Sequence, residues 1–368
     1  MIKYLYINNY KSFVNFRVDF SKKNLLLGKN GTGKSTIFLL IATLRNFVLG
    51  NGVVAGNLFF SNSATRWMNS SIQTFEIGLS DGDDLYTYRL EIEYSKDPDV
   101  TKVKAETVSL ADKPLLSVKE GVAFISDGSS FSGRELLVDS SLSALNAFNL
   151  GSGHKELSRF RELMSKIVYC SPYPRNMVDR VENDVYWPLL DFSNIASAYT
   201  GIVQLYPDIQ QKVNDAMREI NPAFKRTRVS AEPYGKFFVI DYQYKDVECS
   251  FSFGELSDGE KMLFALYALI YGYVANDFVV LLDEPDNYVS LKELQPWCTE
   301  LEHTMSENGQ CLLISHNAEI IDYMAEADGI WFSRLSSGES QVISNPLVQA
   351  AENQLLPYSE LIARGLDE

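Results

Sequence analysis

The sequence predicts an α/β fold with a central parallel sheet, and three observations predict it. Short, continuous apolar runs at 23–27, 278–282 and 309–314 have the length of strands buried on both faces. Apolar stretches with helical spacing, 35–42 and 262–273, lie beside them in the chain. Between the first run and its helix stands Gly28-Lys29-Asn30-Gly31-Thr32-Gly33-Lys34-Ser35, a glycine loop of the kind that cradles phosphate.

The 368 residues, 46% hydrophobic and 22% charged, suffice for one large or two modest globular domains. The net charge of −15 argues against a surface devoted to nucleic acid, because such binding depends on basic side chains displacing counterions from phosphates. The densest basic cluster, Lys225, Arg226 and Arg228 with Lys236 nearby, reads as a solvated turn between a helix and a strand. Cys170, Cys249, Cys298 and Cys311 form no CxxC pair, and His154, His303 and His316 are scattered, which argues against a disulfide framework or a zinc cluster. The chain enters a strand pattern at Met1-Ile2-Lys3-Tyr4-Leu5 without a signal-peptide pattern or a run of about 18 apolar residues. The expected location is the cytoplasm, with no membrane partner.

In chain order, strand 23–27 feeds the glycine loop. Glycines at 28, 31 and 33 let the backbone curl so that its N–H groups, with those of Asn30, Thr32 and Thr36, face phosphate oxygens at a helix N-terminus. Lys34 is placed to reach the β- and γ-phosphates of ATP, and the Ser35 hydroxyl to ligate Mg²⁺. Alternating stretches 74–79 and 85–93, joined by Ser80-Asp81-Gly82-Asp83-Asp84, predict a hairpin. Stretches 103–110 and 115–124 read as further strands, and 126–133 and 150–153 as glycine- and serine-rich loops. Helices are expected at 154–167, 194–205 and 207–220, the last stopped by Asn221-Pro222, with strands resuming at 237–244. The domain reading is an N-terminal lobe with a β-rich extension (1–133), a compact helical insert (134–228) and a C-terminal lobe (229–368).

Three further motifs follow. Ser257-Asp258-Gly259-Glu260 is a capping box, serine at the N-cap and glutamate three residues on, and opens the helix at 262–273. Strand 278–282 ends in Asp283-Glu284, where the first carboxylate suits Mg²⁺ and the second suits a general base that polarises the attacking water. Strand 309–314 ends in Ser315-His316. After His316, strands at 329–333 and 341–344 and a helix from about residue 346 are expected.

Together these motifs resemble an ATP-binding-cassette ATPase of the SMC/RecF/OLD type, and most closely the small stand-alone predicted-ATPase group. Asn9-Tyr10-Lys11-Ser12-Phe13 resembles the N-F-R/K-S-F element of these heads, and the resemblance implies that Lys11 and Ser12 lie near the nucleotide. Leu256-Ser257-Asp258-Gly259-Glu260 resembles their signature, which in that superfamily covers the ATP held by the other subunit. Leu282-Asp283-Glu284-Pro285-Asp286-Asn287 resembles D-E-P-E-N, and Ser315-His316-Asn317 resembles the T-H-S or S-H-N in which the histidine touches the γ-phosphate. Two departures stand out. Tyr288-Val289-Ser290 replaces the L-H-P of many relatives, in a loop that communicates between subunits. No glutamine loop is evident: Gln73 is a candidate third metal ligand, and the segment Tyr169-Cys170-Ser171-Pro172-Tyr173-Pro174 is a candidate for the same position.

The resemblance implies a Mg²⁺-dependent ATPase that closes as a homodimer or higher oligomer. The long middle lacks sustained heptads, so no coiled coil is expected. With 52 residues after His316, no nuclease domain of the OLD type is expected. The expected role is a nucleotide-driven switch or scaffold for a separate effector, a nuclease or toxin, in bacterial genome or anti-phage defence. The alternative is a RecF-like repair ATPase that binds DNA directly.

Overall fold

The computed structural model describes residues 1–54, 59, 63–94, 101–126, 136–147, 154–183, 185–348, 351 and 356–366. The chain opens with β1 (Ile2–Asn8), β2 (Phe16–Asp19) and β3 (Lys23–Leu27), then helix α1 (Lys34–Leu49). Strands β4 (Ile72–Asp81), β5 (Asp84–Glu93), β6 (Lys102–Leu110), β7 (Lys113–Lys119), β8 (Val122–Ile125) and β9 (Leu136–Leu137) follow. Helix α2 (Lys155–Ser165) leads to β10 (Ile167–Cys170) and β11 (Arg180–Val181), then α3 (Ile195–Leu205) and α4 (Asp208–Ile220). Next come β12 (Phe224–Glu232), β13 (Gly235–Tyr244), β14 (Val247–Ser252) and α5 (Asp258–Gly272). The last part holds β15 (Val279–Asp283), α6 (Leu291–Thr304), β16 (Gln310–Ile314), α7 (Ala318–Asp328), β17 (Gly329–Arg334), β18 (Ser340–Ile343) and α8 (Tyr358–Ala363).

These elements form two compact units interleaved in sequence: 1–22, 28–167 and 330–344 make the first, 23–27, 168–329 and 345–368 the second. The expected boundaries at 133 and 228 therefore do not mark the units. The helices expected as one insert divide, α2 going to the first unit and α3 and α4 to the second. Residues 127–133 and 150–153 of the expected loops lie outside the described residues, as does the expected boundary at 133.

The first unit is built on an antiparallel sheet in the order β2-β1-β4-β5-β6-β7-β8-β9. The stretch expected as strand 115–124 is a hairpin. Glu120 and Gly121 both take positive φ (51° and 80°) and turn β7 back into β8. One face of the sheet alternates apolar residues into the core: Phe75, Ile77 and Leu79 from β4, then Tyr88, Leu90 and Ile92 from β5. Rings close the gaps, with Phe59 packed edge-on against Phe47 of α1 (centroids 5.9 Å apart) and tilted against Phe75 (5.4 Å). Glu106 is fully buried in β6, and burial raises its carboxyl above the usual range. It accepts from Tyr88 (2.9 Å), Ser143 (2.5 Å) and the Ala144 amide (2.8 Å), which satisfies the group that burial would otherwise penalise.

The second unit holds the parallel sheet that the sequence predicts. Strands β15, β16 and β3 are parallel neighbours and β10 lies on the far side of β15. Every residue of β15 and β16 is buried. Helix α5 packs against α3, α4 and α6, so beyond its first turn it is buried all round. Its Phe264 meets Tyr199 of α3 (4.8 Å) and Phe238 of β13 (5.4 Å).

The basic cluster is not a turn. Lys225, Arg226 and Arg228 lie in β12, whose partner β13 supplies Asp241 opposite Arg226. Arg226 (2.9 Å) and Arg228 (3.0 Å) both donate to the Asp241 carboxylate, Ser250 donates to it at 2.7 Å, and Lys225 pairs with Glu248. Burial alone would raise the Asp241 carboxyl, but Arg226, Ser250 and Arg228 outweigh it and hold it below the usual range. Among the described residues no helix is long and apolar enough to cross a membrane.

Candidate functional site

The glycine loop belongs to the first unit, and its shape is set by close approach. Gly33 has φ 105°, and a Cβ placed on it would lie 2.4 Å from Cζ of Phe13. Gly28 has φ 131°, and a Cβ there would lie 2.2 Å from the Phe332 carbonyl oxygen. No side chain fits at either position, so the curl that aims backbone N–H groups inward is built into the packing. Lys34 begins α1 and is 6% exposed, its ammonium donating to the carbonyls of Gly28 (2.5 Å) and Lys29 (3.2 Å). Thr32 donates to the Lys29 carbonyl at 2.8 Å. Asn30, Gly31 and Ser35 are exposed on the loop's open side, with Thr36 half-buried.

The N-terminal element braces this loop. Ser12 is 6% exposed and shares a hydrogen bond with Ser340 (2.8 Å), which donates to the Thr32 carbonyl (2.8 Å). Phe13 fills the space that Gly33 leaves. Ser12, expected near the nucleotide, is linked to the glycine loop through Ser340. Lys11 is exposed at φ 50°, its amide donating to the Ser63 carbonyl (2.6 Å).

Gln73 is not presented to a ligand. It is 1% exposed, and its amide nitrogen donates to the Asn9 carbonyl (3.0 Å) and the Ser63 hydroxyl (3.1 Å). It faces inward because its place in β4 points it under the Asn9 turn, where those acceptors need a donor. Arg334, which sequence reasoning missed, lies in the β17–β18 hairpin with Nη1 4.0 Å from the position of a Cβ on Gly31.

The second unit carries the acid pair, the histidine and the signature. Asp283 closes β15 and is 8% exposed. Glu284 follows, exposed, at φ 50° with its amide bonded to the Ile314 carbonyl (2.8 Å). A glutamate in the left-handed region is strained, and such strain is kept where it aims a side chain. Here it turns Glu284 away from the strand, with Asn287 donating to its carboxylate at 3.2 Å. The next acid, Asp286, is raised by burial, which Ser315 partly offsets. Strand β16, parallel to β15, ends beside it with buried Ser315 and exposed His316. Ligands of open α/β sheets bind beyond the carboxyl ends of parallel strands, which is where Asp283, Glu284 and His316 stand. The third parallel strand, β3, ends at Leu27, the residue before Gly28.

Ser257 is the N-cap of α5, accepting from the Glu260 amide (3.3 Å), while Glu260 returns to the Ser257 amide (3.1 Å). The capping box thus exists, and exposure of the helix is confined to this turn. Three groups from elsewhere in the chain meet it. The Tyr288 carbonyl oxygen lies 3.1 Å from where a Cβ on Gly259 would be, Arg175 Nε lies 3.3 Å from Asp258, and Tyr242 donates to Glu260 (3.2 Å). The Tyr173 ring packs edge-on against Tyr288, centroids 6.1 Å apart. At the start of the same segment the Tyr169 hydroxyl donates to Asp283 (3.4 Å). Segment 169–175 therefore runs from Asp283 to the first turn of α5. Of the two stretches named as glutamine-loop candidates, 169–174 reaches Asp283 through Tyr169, and Gln73 is engaged by Asn9 and Ser63. Arg175 lies one residue past the stretch singled out in the sequence, and no local pattern marks it.

Residues 1–147 match a family model described as an AAA ATPase domain. Similar solved structures include an SMC head bound to the C-terminal winged-helix domain of ScpA, at 18% identity and TM-score 0.54, covering 95% of this chain and 99% of that one. Another is an SMC head with an extended coiled coil, bound to the C-terminal domain of ScpA from Pyrococcus furiosus, at 13% identity and TM-score 0.50, covering 96% and 98%. No curated protein matches. The chain has the fold of these SMC heads.

Proposed function

We propose that two copies of this chain close on two ATP molecules, each held by the phosphate loop of one copy and covered by the signature of the other. The observation that carries this reading is α5. Its whole length is buried except the first turn, where Ser257, Asp258 and Gly259 meet solvent. A helix N-terminus open at that one place is a receptor for an anion brought from outside the protomer.

Lys34 neutralises charge on the β- and γ-phosphates. Glu284 takes a proton from the attacking water as its oxygen bonds to the γ-phosphorus; the bond from that phosphorus to the bridging oxygen breaks, and ADP leaves. His316 orients the γ-phosphate. The Ser35 hydroxyl and the Asp283 carboxylate are hard oxygen donors and suit Mg²⁺, which when bound screens phosphate charge. Gln73 is left out of this set.

Closure and reopening make a switch that a separate effector reads. The ScpA domains seated on the two SMC heads support a partner protein docking on such a fold. A nuclease or toxin partner in genome defence is the form this takes by fold analogy. Direct DNA binding has less support, since Arg226 and Arg228 already share Asp241 and Lys225 pairs with Glu248. The test is hydrolysis against protein concentration. A rate per protomer that rises with concentration, and is lost in Ser257→Arg while ATP still binds, supports the composite site; a flat rate refutes it.

A further inference from the structure

We propose that Arg175 is a further catalytic residue, delivered by one protomer to the γ-phosphate of the ATP held by the other. The inference rests on the composite-site reading above. Arg175 stands in a short 3₁₀ turn, Pro174–Asn176, that is fixed from both sides. The amides of Ser171 and Tyr173 donate to the carbonyls of Leu190 (2.7 Å) and Asp191 (3.0 Å), and the Asn176 side chain donates to the Asp191 carboxylate (2.8 Å). Pro172 and Pro174 lock φ on either side of Tyr173, whose ring leans on Tyr288.

The mount is held in place while the side chain reaches into solvent: the Arg175 side chain is 68% exposed, with an ion pair to Asp258 of the signature turn. An ion pair this exposed adds little stability, so folding does not explain its placement. Charge does. The signature turn presents two carboxylates to the face where a triphosphate must arrive. Glu260 is occupied by Ser257 and Tyr242. Asp258 would repel the phosphate, and the guanidinium beside it cancels that charge. With Nε on Asp258, the planar fork retains Nη donors for phosphate oxygens. An arginine supplied in trans stabilises charge on the transferring phosphoryl group as its bond to the ADP oxygen breaks.

Arg175→Ala should lower kcat for ATP about 100-fold, the usual effect of removing one preorganised donor. KM for ATP and the melting temperature should change little, because the phosphate loop that binds ATP is intact. Arg175→Lys should restore only part of kcat, since a point charge cannot fork. Mixed dimers give the decisive result. With Lys34→Ala and Arg175→Ala on different protomers, one complete site remains and ATP is hydrolysed. With both changes on one protomer and a wild-type partner, no complete site remains. The reverse pattern, or an unchanged kcat in Arg175→Ala, overturns the proposal. If Ser257→Arg also leaves rate and dimerisation untouched, the composite site itself falls; if Ser257→Arg abolishes turnover while Arg175→Ala does not, only the arginine assignment falls.

Discussion

The glycine loop and the signature turn do related jobs by opposite constructions. The loop is contiguous: Gly28 to Ser35 carry its donors, and two glycines that admit no Cβ hold its path. The signature turn is assembled from separate segments, with Arg175, Tyr242 and Tyr288 converging on Asp258, Glu260 and Gly259. The loop's path is set by close packing of Gly28 and Gly33 against Phe332 and Phe13. The signature turn is held by side-chain contacts from Arg175 and Tyr242, whereas the loop's own glycines set its backbone path.

The largest effect should separate the two directly. Glu284→Gln is expected to cut turnover about 1,000-fold while ATP still binds, and Lys34→Ala to weaken ATP binding about 10- to 100-fold by removing a charged contact. Single-turnover hydrolysis and equilibrium titration distinguish these losses, and an active Glu284→Gln would remove the proposed base. Next, Gly33→Ala should destabilise the protein by about 2 kcal/mol, through both its positive φ and the overlap with Phe13. Adding Phe13→Leu should recover part of that loss, which denaturant melts will show; no recovery would mean that the ring does not shape the loop.

A smaller effect tests the second unit's reliance on side chains. The Asp241 carboxyl is depressed in the folded state, so its contribution is fully present above the ordinary carboxylate value of about 4 and is lost as pH falls through the lower folded value. Asp241→Asn should cost about 1 kcal/mol at neutral pH, since both arginines are partly exposed, and the gap to wild type should close on acidification. A pH-independent gap would point to packing instead. Smallest is the ring contact: a double-mutant cycle on Tyr173→Ala and Tyr288→Ala should give a coupling of about 0.5–1 kcal/mol. Zero coupling would mean that the acid-pair loop and the 169–175 segment move independently.

What could be read from the sequence follows the same division. The phosphate loop, the buried strands at 279–283 and 310–314, the capped start of α5 and the Asp283-Glu284 pair were legible because each is local. Strand β12 was not: its Lys225-Arg226-Thr227-Arg228 looks like a solvated turn until Asp241, on another strand, neutralises it. Gln73 was a candidate ligand because its acceptors, the Asn9 carbonyl and the Ser63 hydroxyl, meet it only once the chain folds. The motif placed Ser12 near the nucleotide but gave no sign of its hydrogen bond to Ser340, near the other end of the chain. Arg175 shows no pattern at all until folding brings it to Asp258.

The central claim is that ATP closes two protomers through the signature turn. Its most direct test is the native mass of Glu284→Gln in ATP and Mg²⁺, measured with and without Ser257→Arg. The account predicts a dimer or multiple of it for the single variant and a monomer that still binds ATP for the double variant. A single variant that stays monomeric with ATP bound, or a double variant that still dimerises, would contradict it.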